Sequence, residues 1–96
     1  MNYLKVFWKN ADAGAPIIWY SEINEGRWET RKVGVFSDGT YGYADSSTEK
    51  AGMWLSEKAL PSFEEIAAQD EFEPHEITGV EFEEVWQKAT SFWDAR

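Results

Sequence analysis

A chain of 96 residues, 43% hydrophobic and 17% aromatic, can enclose one small core. Cysteine is absent, which excludes disulfide scaffolds, thiolate zinc sites and thiol nucleophiles. The net charge of −9 is uneven: residues 61–96 hold two basic and ten acidic side chains, a surface that repels phosphate backbones and favours basic protein partners.

The opening MNYLKVFWKN has no apolar run of signal-peptide length, and no stretch nears the roughly 20 apolar residues of a membrane span. A single cytoplasmic domain over residues 1–96 is therefore expected.

Residues 3–9 alternate, with Leu4, Val6 and Trp8 on one side and Tyr3, Lys5, Phe7 and Lys9 on the other, which predicts a half-buried strand. Asn10 to Ala15 is turn material. Pro16 opens a second strand, PIIWYSEI, with Ile17, Trp19 and Ile23 on one face and Ile18, Tyr20 and Glu22 on the other. After a turn at Asn24-Glu25-Gly26, Arg27 to Phe36 forms the third strand. Ser37-Asp38-Gly39 marks a tight hairpin, because Asp-Gly supplies the positive φ angles that such turns require. Thr40 to Ala44 returns as the partner strand. Asp45 to Gly52 is polar loop, and Met53-Trp54-Leu55 is expected as a short edge strand.

The period then changes. Ser62 with Glu65 is a capping box that starts a short helix, FEEIAAQ. Gln69 to His75 is expected to be an acidic loop. Thr78 with Glu81 is a second capping box, opening a helix from about Gly79 to Trp93. Phe82, Val85, Trp86, Ala89, Phe92 and Trp93 form its apolar stripe, while Glu81, Glu84, Lys88 and Asp94 lie away from it. Strands first and helices last predict an α+β fold: an antiparallel sheet of four to five strands, with the short helix and the long C-terminal helix packed on one face.

Several constellations invite a chemical reading. Arg27, Arg31 and Lys32 stand beside Trp28, Tyr41 and Tyr43, a composition that a nucleic-acid-binding sheet could use. Strict alternation, however, puts Trp28, Thr30 and Lys32 on one face and Arg27, Glu29, Arg31 and Val33 on the other. The basic residues are thereby divided, and pairing of Arg31 with Glu22 across strands is the expectation. His75 is the single histidine; Glu71, Glu73 and Glu76 surround it, and a solvated loop rather than a cation site is expected. The carboxylate pairs Glu64/Glu65, Asp70/Glu71 and Glu83/Glu84 are surface neighbours, not two carboxyls facing one cleft as acid–base catalysis needs. No Ser-x-x-Lys, Gly-x-Ser-x-Gly or phosphate-binding glycine loop occurs. A non-enzyme without a metal or cofactor is expected. Sixteen aromatics exceed what one small interior readily hides; of the six tryptophans Trp86 is placed in the core, and a partly exposed aromatic face is an interface signal.

The ordered run YLKVFW (3–8), IWYSEI (18–23), RWETRKVGVFSDG (27–39), YGYAD (41–45), LPSFEEI (60–66) and FEPHEITGVEFEEVW (72–86) covers nearly the whole chain. In this order and spacing it resembles a family of small acidic bacterial proteins of unknown function. Its members look like the stand-alone proteins encoded beside polymorphic toxins and contact-dependent inhibition systems. That resemblance implies an immunity role: neutralising a cognate toxin, such as a nuclease, by direct binding. It brings no assigned catalytic residues. Asp70, Glu71, Glu73 and Glu76, followed by Glu64, Arg31 and Trp93, are the expected partner contacts, with a basic toxin domain as partner. The alternatives are a small-ligand or nucleic-acid module that uses the sheet face through Arg31, and a structural homodimer that buries surplus aromatics.

Overall fold

The computed structural model describes residues 1–95. Alternating side chains build the sheet as expected in β1 (Asn2–Trp8), β2 (Ile18–Ile23), β3 (Glu29–Val35) and β4 (Tyr41–Ala44). Two further strands, β5 (Glu49–Lys50) and β6 (Phe72–Glu76), make six in the order β5-β4-β3-β2-β1-β6, every pair antiparallel. The helices are α1 (Phe63–Ala67) and α2 (Gly79–Asp94). Both open with the capping boxes read from the sequence: Ser62 Oγ accepts from Glu65 N, and Thr78 Oγ1 accepts from Glu81 N.

Four expectations are corrected. The sheet has six strands, not four to five, because part of the acidic stretch Gln69–His75 pairs with β1, Val6 opposite Pro74 and Trp8 opposite Phe72. Proline is tolerated there because β6 is an edge, and a missing N–H costs an edge strand no ladder bond on its open side. Met53-Trp54-Leu55 is not a strand. It crosses the sheet, with Met53 packed over Gly34 and Gly42, which are paired across β3 and β4 and carry no Cβ to hold it off.

The third correction concerns β3. Glu22 pairs with Arg31 but Ile23 pairs with Glu29, so Thr30 is an extra residue, a bulge. Strict alternation therefore breaks, and Glu29 shares the face of Lys32 instead of that of Arg31.

The fourth concerns the helices, which cover opposite faces. Leu4, Ser21, Lys32 and Ala44 are in register on one face; Lys5, Tyr20, Val33 and Tyr43 are in register on the other. Ile66 of α1 packs with Leu4, Val6 and Ile23, joined by Leu60, Phe63 and Phe72. Val85 and Ala89 of α2 pack with Val33 and Tyr43, joined by Tyr20, Tyr41, Trp86 and Trp93. The two apolar sides of each strand thus serve two half-cores, and the protein is three layers deep.

Candidate functional site

The expected contact residues separate by face. Arg31 belongs to the α2 side. Its Nε and Nη2 donate to Glu22 Oε1 and Oε2 at 2.9 and 2.6 Å, and its Nη1 and Nη2 donate to Glu83 Oε1 and Oε2 at 2.6 and 3.2 Å. The guanidinium also lies 4.9 Å from the centre of the Phe82 ring and 5.0 Å from that of Trp86. The hydrogen bond from Arg31, supported by Thr30, holds the Glu22 carboxyl below its usual range against the opposing effect of burial. Arg31 itself is raised, first by Glu22. Trp93 donates Nε1 to the Tyr41 carbonyl at 2.7 Å and packs edge-on against Phe92. Both residues fasten α2 to the sheet.

The acids lie at the opposite end of the sheet. Glu64 is exposed on α1, Asp70 and Glu71 on the turn that follows, and Glu73 and Glu76 on β6. They do not converge on one point. Glu73 is in register with Phe7 on the α2 side, and Glu76 with Leu4 on the α1 side. Glu73 is hydrogen-bonded to His75 at 2.8 Å, which holds its carboxyl below the ordinary value. His75 is thus on a strand, not in the expected loop. Glu64, Asp70, Glu71 and Glu76 make no ion pair among the described residues. The result is an exposed acidic band that wraps the β6 edge.

Beside this band is a feature that strand patterning missed. A recess of about 160 Å³ opens on the α1 face, walled by Leu4, Val6, Trp19, Leu60, Ile66 and Phe72, with Pro61 and Gln69 at its margin and Ser21, Glu29 and Lys32 along one wall. The Thr30 bulge makes that polar wall, because it turns Glu29 toward Lys32. Lys32 Nζ lies 2.9 Å from Glu29 Oε1, and Ser21 Oγ donates to Oε2 at 2.7 Å. Ser56 N adds a bond to Oε1 at 2.9 Å, and Lys32 also donates to the Trp54 carbonyl at 3.2 Å. The side chains of Glu29 and Lys32 are 1% and 17% exposed, so the pair neutralises itself inside the fold. The wall holds its own charges in place, so Lys32 is not a free cation toward the recess.

Trp8, Trp19 and Phe72 pack as a triangle, with ring centres 5.3 to 6.1 Å apart. The two indole N–H groups are buried without an acceptor among the described residues. Trp19 and Lys32 also border a second hollow of about 200 Å³, reached by Met53 and Trp54. Trp54 is 62% exposed, and Trp28, before β3, is the other tryptophan that reaches solvent prominently. The signal for this face was in the sequence as Ser21 and Lys32 on an otherwise apolar side, but the bulge that adds Glu29 leaves no mark that alternation can read.

Among the described residues, no group of three or more His, Asp or Glu is placed to hold a metal ion, and no helix is long and apolar enough to cross a membrane. A family model described as a domain of unknown function (DUF6881) matches residues 2–91. No curated protein and no solved structure matches the chain. The chain belongs to the DUF6881 family.

Proposed function

We propose that this member of the DUF6881 family is a non-catalytic binding protein that neutralises a basic partner, a cognate bacterial toxin domain, by direct contact in the cytoplasm. The observation that carries this reading is the acidic band: Glu64, Asp70, Glu71 and Glu76 are exposed and have no ion-pair partner among the described residues. Unpaired carboxylates on one edge of a chain with net charge −9 attract a basic surface and speed its encounter.

Competing use of β3 as a phosphate-binding face is disfavoured by how its cations are engaged. Arg27, just before β3, donates to the Leu60 and Pro61 carbonyls, and within β3 Arg31 donates to Glu22 and Glu83, and Lys32 to Glu29 and Trp54. All three are held by internal acceptors, and for Arg31 and Lys32 these include carboxylates that offset the charge a phosphate would meet.

The test is genetic and then physical. The neighbouring open reading frame of the native locus is expressed alone and with this protein, and a complex is sought by co-purification. Toxicity relieved through a stable complex is the expected outcome. Asp70→Asn, Glu71→Gln, Glu73→Gln and Glu76→Gln together weaken that complex and flatten its salt dependence. A harmless neighbour, or relief without a complex, overturns the proposal.

A further inference from the structure

We infer that the recess between β1–β3 and α1 is an anchor pocket for one large apolar side chain, aromatic by preference, carried on a partner segment whose flanking residues are Lys or Arg. This rests on the partner-binding reading above and names where the partner's central contact falls.

Size and chemistry come first. A cavity of about 150 Å³ lined by apolar side chains takes up a benzene-sized group, and the recess measures about 160 Å³. Its walls are already in place, because Leu4, Val6 and Ile66 belong to the buried core of that layer. A partner side chain therefore enters a formed site and costs the protein little ordering, which is how a hot-spot pocket works.

Charge then selects the occupant. Gln69 lines the recess, and Asp70 and Glu71 follow it directly on the exposed turn. Glu64 and Glu65 are exposed on α1, the helix that gives Ile66 to the wall. Among the described lining residues Lys32 is the one cation, and it is held by Glu29 and by the Trp54 carbonyl; Arg27 reaches the Leu60–Pro61 margin, where its guanidinium donates to those two backbone carbonyls. Asp70 and Glu71 make the Gln69 side of the mouth negative, in a chain of net charge −9, which disfavours an anionic small molecule and favours an apolar side chain bracketed by cations. Trp54 extends the apolar surface beyond Trp19, giving the flanking chain a rim to lie on.

Four probes separate the terms: the capped peptides Lys-Arg-Phe-Arg-Lys, Lys-Arg-Ala-Arg-Lys and Asp-Glu-Phe-Glu-Asp, and N-acetyl-phenylalanine amide. Each is titrated into the full chain while backbone amide and indole N–H shifts are followed. The basic Phe peptide is expected to bind about tenfold or more tightly than each of the other three, with shifts centred on Leu4, Trp19, Ile66 and Phe72. Gln69→Trp, a change at an exposed margin position, closes the mouth without touching the core and should abolish the Phe preference while leaving binding of the Ala peptide. Ile66→Trp fills the recess from inside and should do the same where its melting curve remains cooperative.

Equal binding of the Phe and Ala basic peptides overturns the inference, since charge alone then acts. Equal binding of the neutral amide or the acidic peptide also overturns it, since the recess is then a small-molecule or charge-indifferent site. If the cognate partner is captured normally by Gln69→Trp, the inference fails while the binding reading stands. A harmless neighbour overturns that reading, whereas the peptide preference is measured without it.

Discussion

Arg31 meets Glu22 through two N–H groups, at 2.9 and 2.6 Å, directly across the β2–β3 pair. Glu22 is only 9% exposed, while Glu83, the second partner of Arg31, is 48% exposed. The two ion pairs therefore differ in weight. Arg31→Ala strands a buried carboxylate and also removes the ring contacts, and it should cost about 2–4 kcal/mol in urea unfolding. Glu83→Ala should cost under about 1 kcal/mol. Similar losses in the two variants would show that Glu22 is not the residue that matters.

Acid stability should follow the same pair. Glu22 titrates near 4.5 when the chain is unfolded and lower when it is folded, because Arg31 binds the ionised form. Between those values the unfolded chain holds more protons, so lowering the pH draws the population toward it. The stabilisation is complete above about 4.5 and fades as the pH falls through the lower folded value. Asp45, held low by the Ser47 and Thr48 backbone amides, adds a similar loss below its ordinary 3.8. Urea midpoints measured against pH should fall in this acid window, and Glu22→Gln should be less stable at neutral pH but less steep below 4.5.

Gly34 and Gly42 should respond differently to the same substitution. A Cβ on Gly42 lies 2.7 Å from Met53 Cγ and 2.9 Å from the Lys50 carbonyl oxygen. A Cβ on Gly34 lies 2.8 Å from Met53 Sδ and 2.9 Å from Cε, the far end of a flexible side chain. Gly42→Ala should lose about 1–3 kcal/mol and Gly34→Ala less. Adding Met53→Ala should recover Gly34→Ala more fully, because the backbone oxygen beside Gly42 remains. Thermal melts of the three variants and the two doubles decide this.

Ser62→Ala removes the cap of α1, a helix of only five residues. The expected loss is about 1 kcal/mol. Since Ile66 and the segment after α1 form one side of the recess, amide exchange should accelerate at residues 63–72 before it does in β2 or β3. Uniform acceleration across the sheet would mean that α1 does not open separately.

Local chemistry was the most legible part of the sequence. Both capping boxes, the Asp-Gly hairpin, the α2 stripe and the Glu22–Arg31 pair were readable because each depends on neighbours in sequence or on simple register. β6 was hidden because Phe-Glu-Pro-His-Glu is acidic, contains proline and alternates only weakly; its partner β1 lies more than sixty residues away. The split of the helices between two faces was hidden for a related reason: β1 has apolar residues on both sides, and the sequence does not say which helix meets which. The Glu29–Lys32 wall required the Thr30 bulge, a single-residue departure from a rule that otherwise held. Of the expected contacts, the acids stand exposed as the band, while Arg31 and Trp93 hold α2 to the sheet.

The strand order carries a consequence for how the molecule is made. Every pairing among β1 to β5 joins strands adjacent in the chain, and only β1–β6 closes a long loop. Short closures cost less entropy and form sooner. The five-stranded meander is therefore expected to form ahead of the β1–β6 pairing. Until α2 docks, Tyr20, Val33 and Tyr43 lack the cover that Val85 and Ala89 provide. In a partly folded chain that bare apolar face is the one prone to association, and the docking of α2 is what removes it.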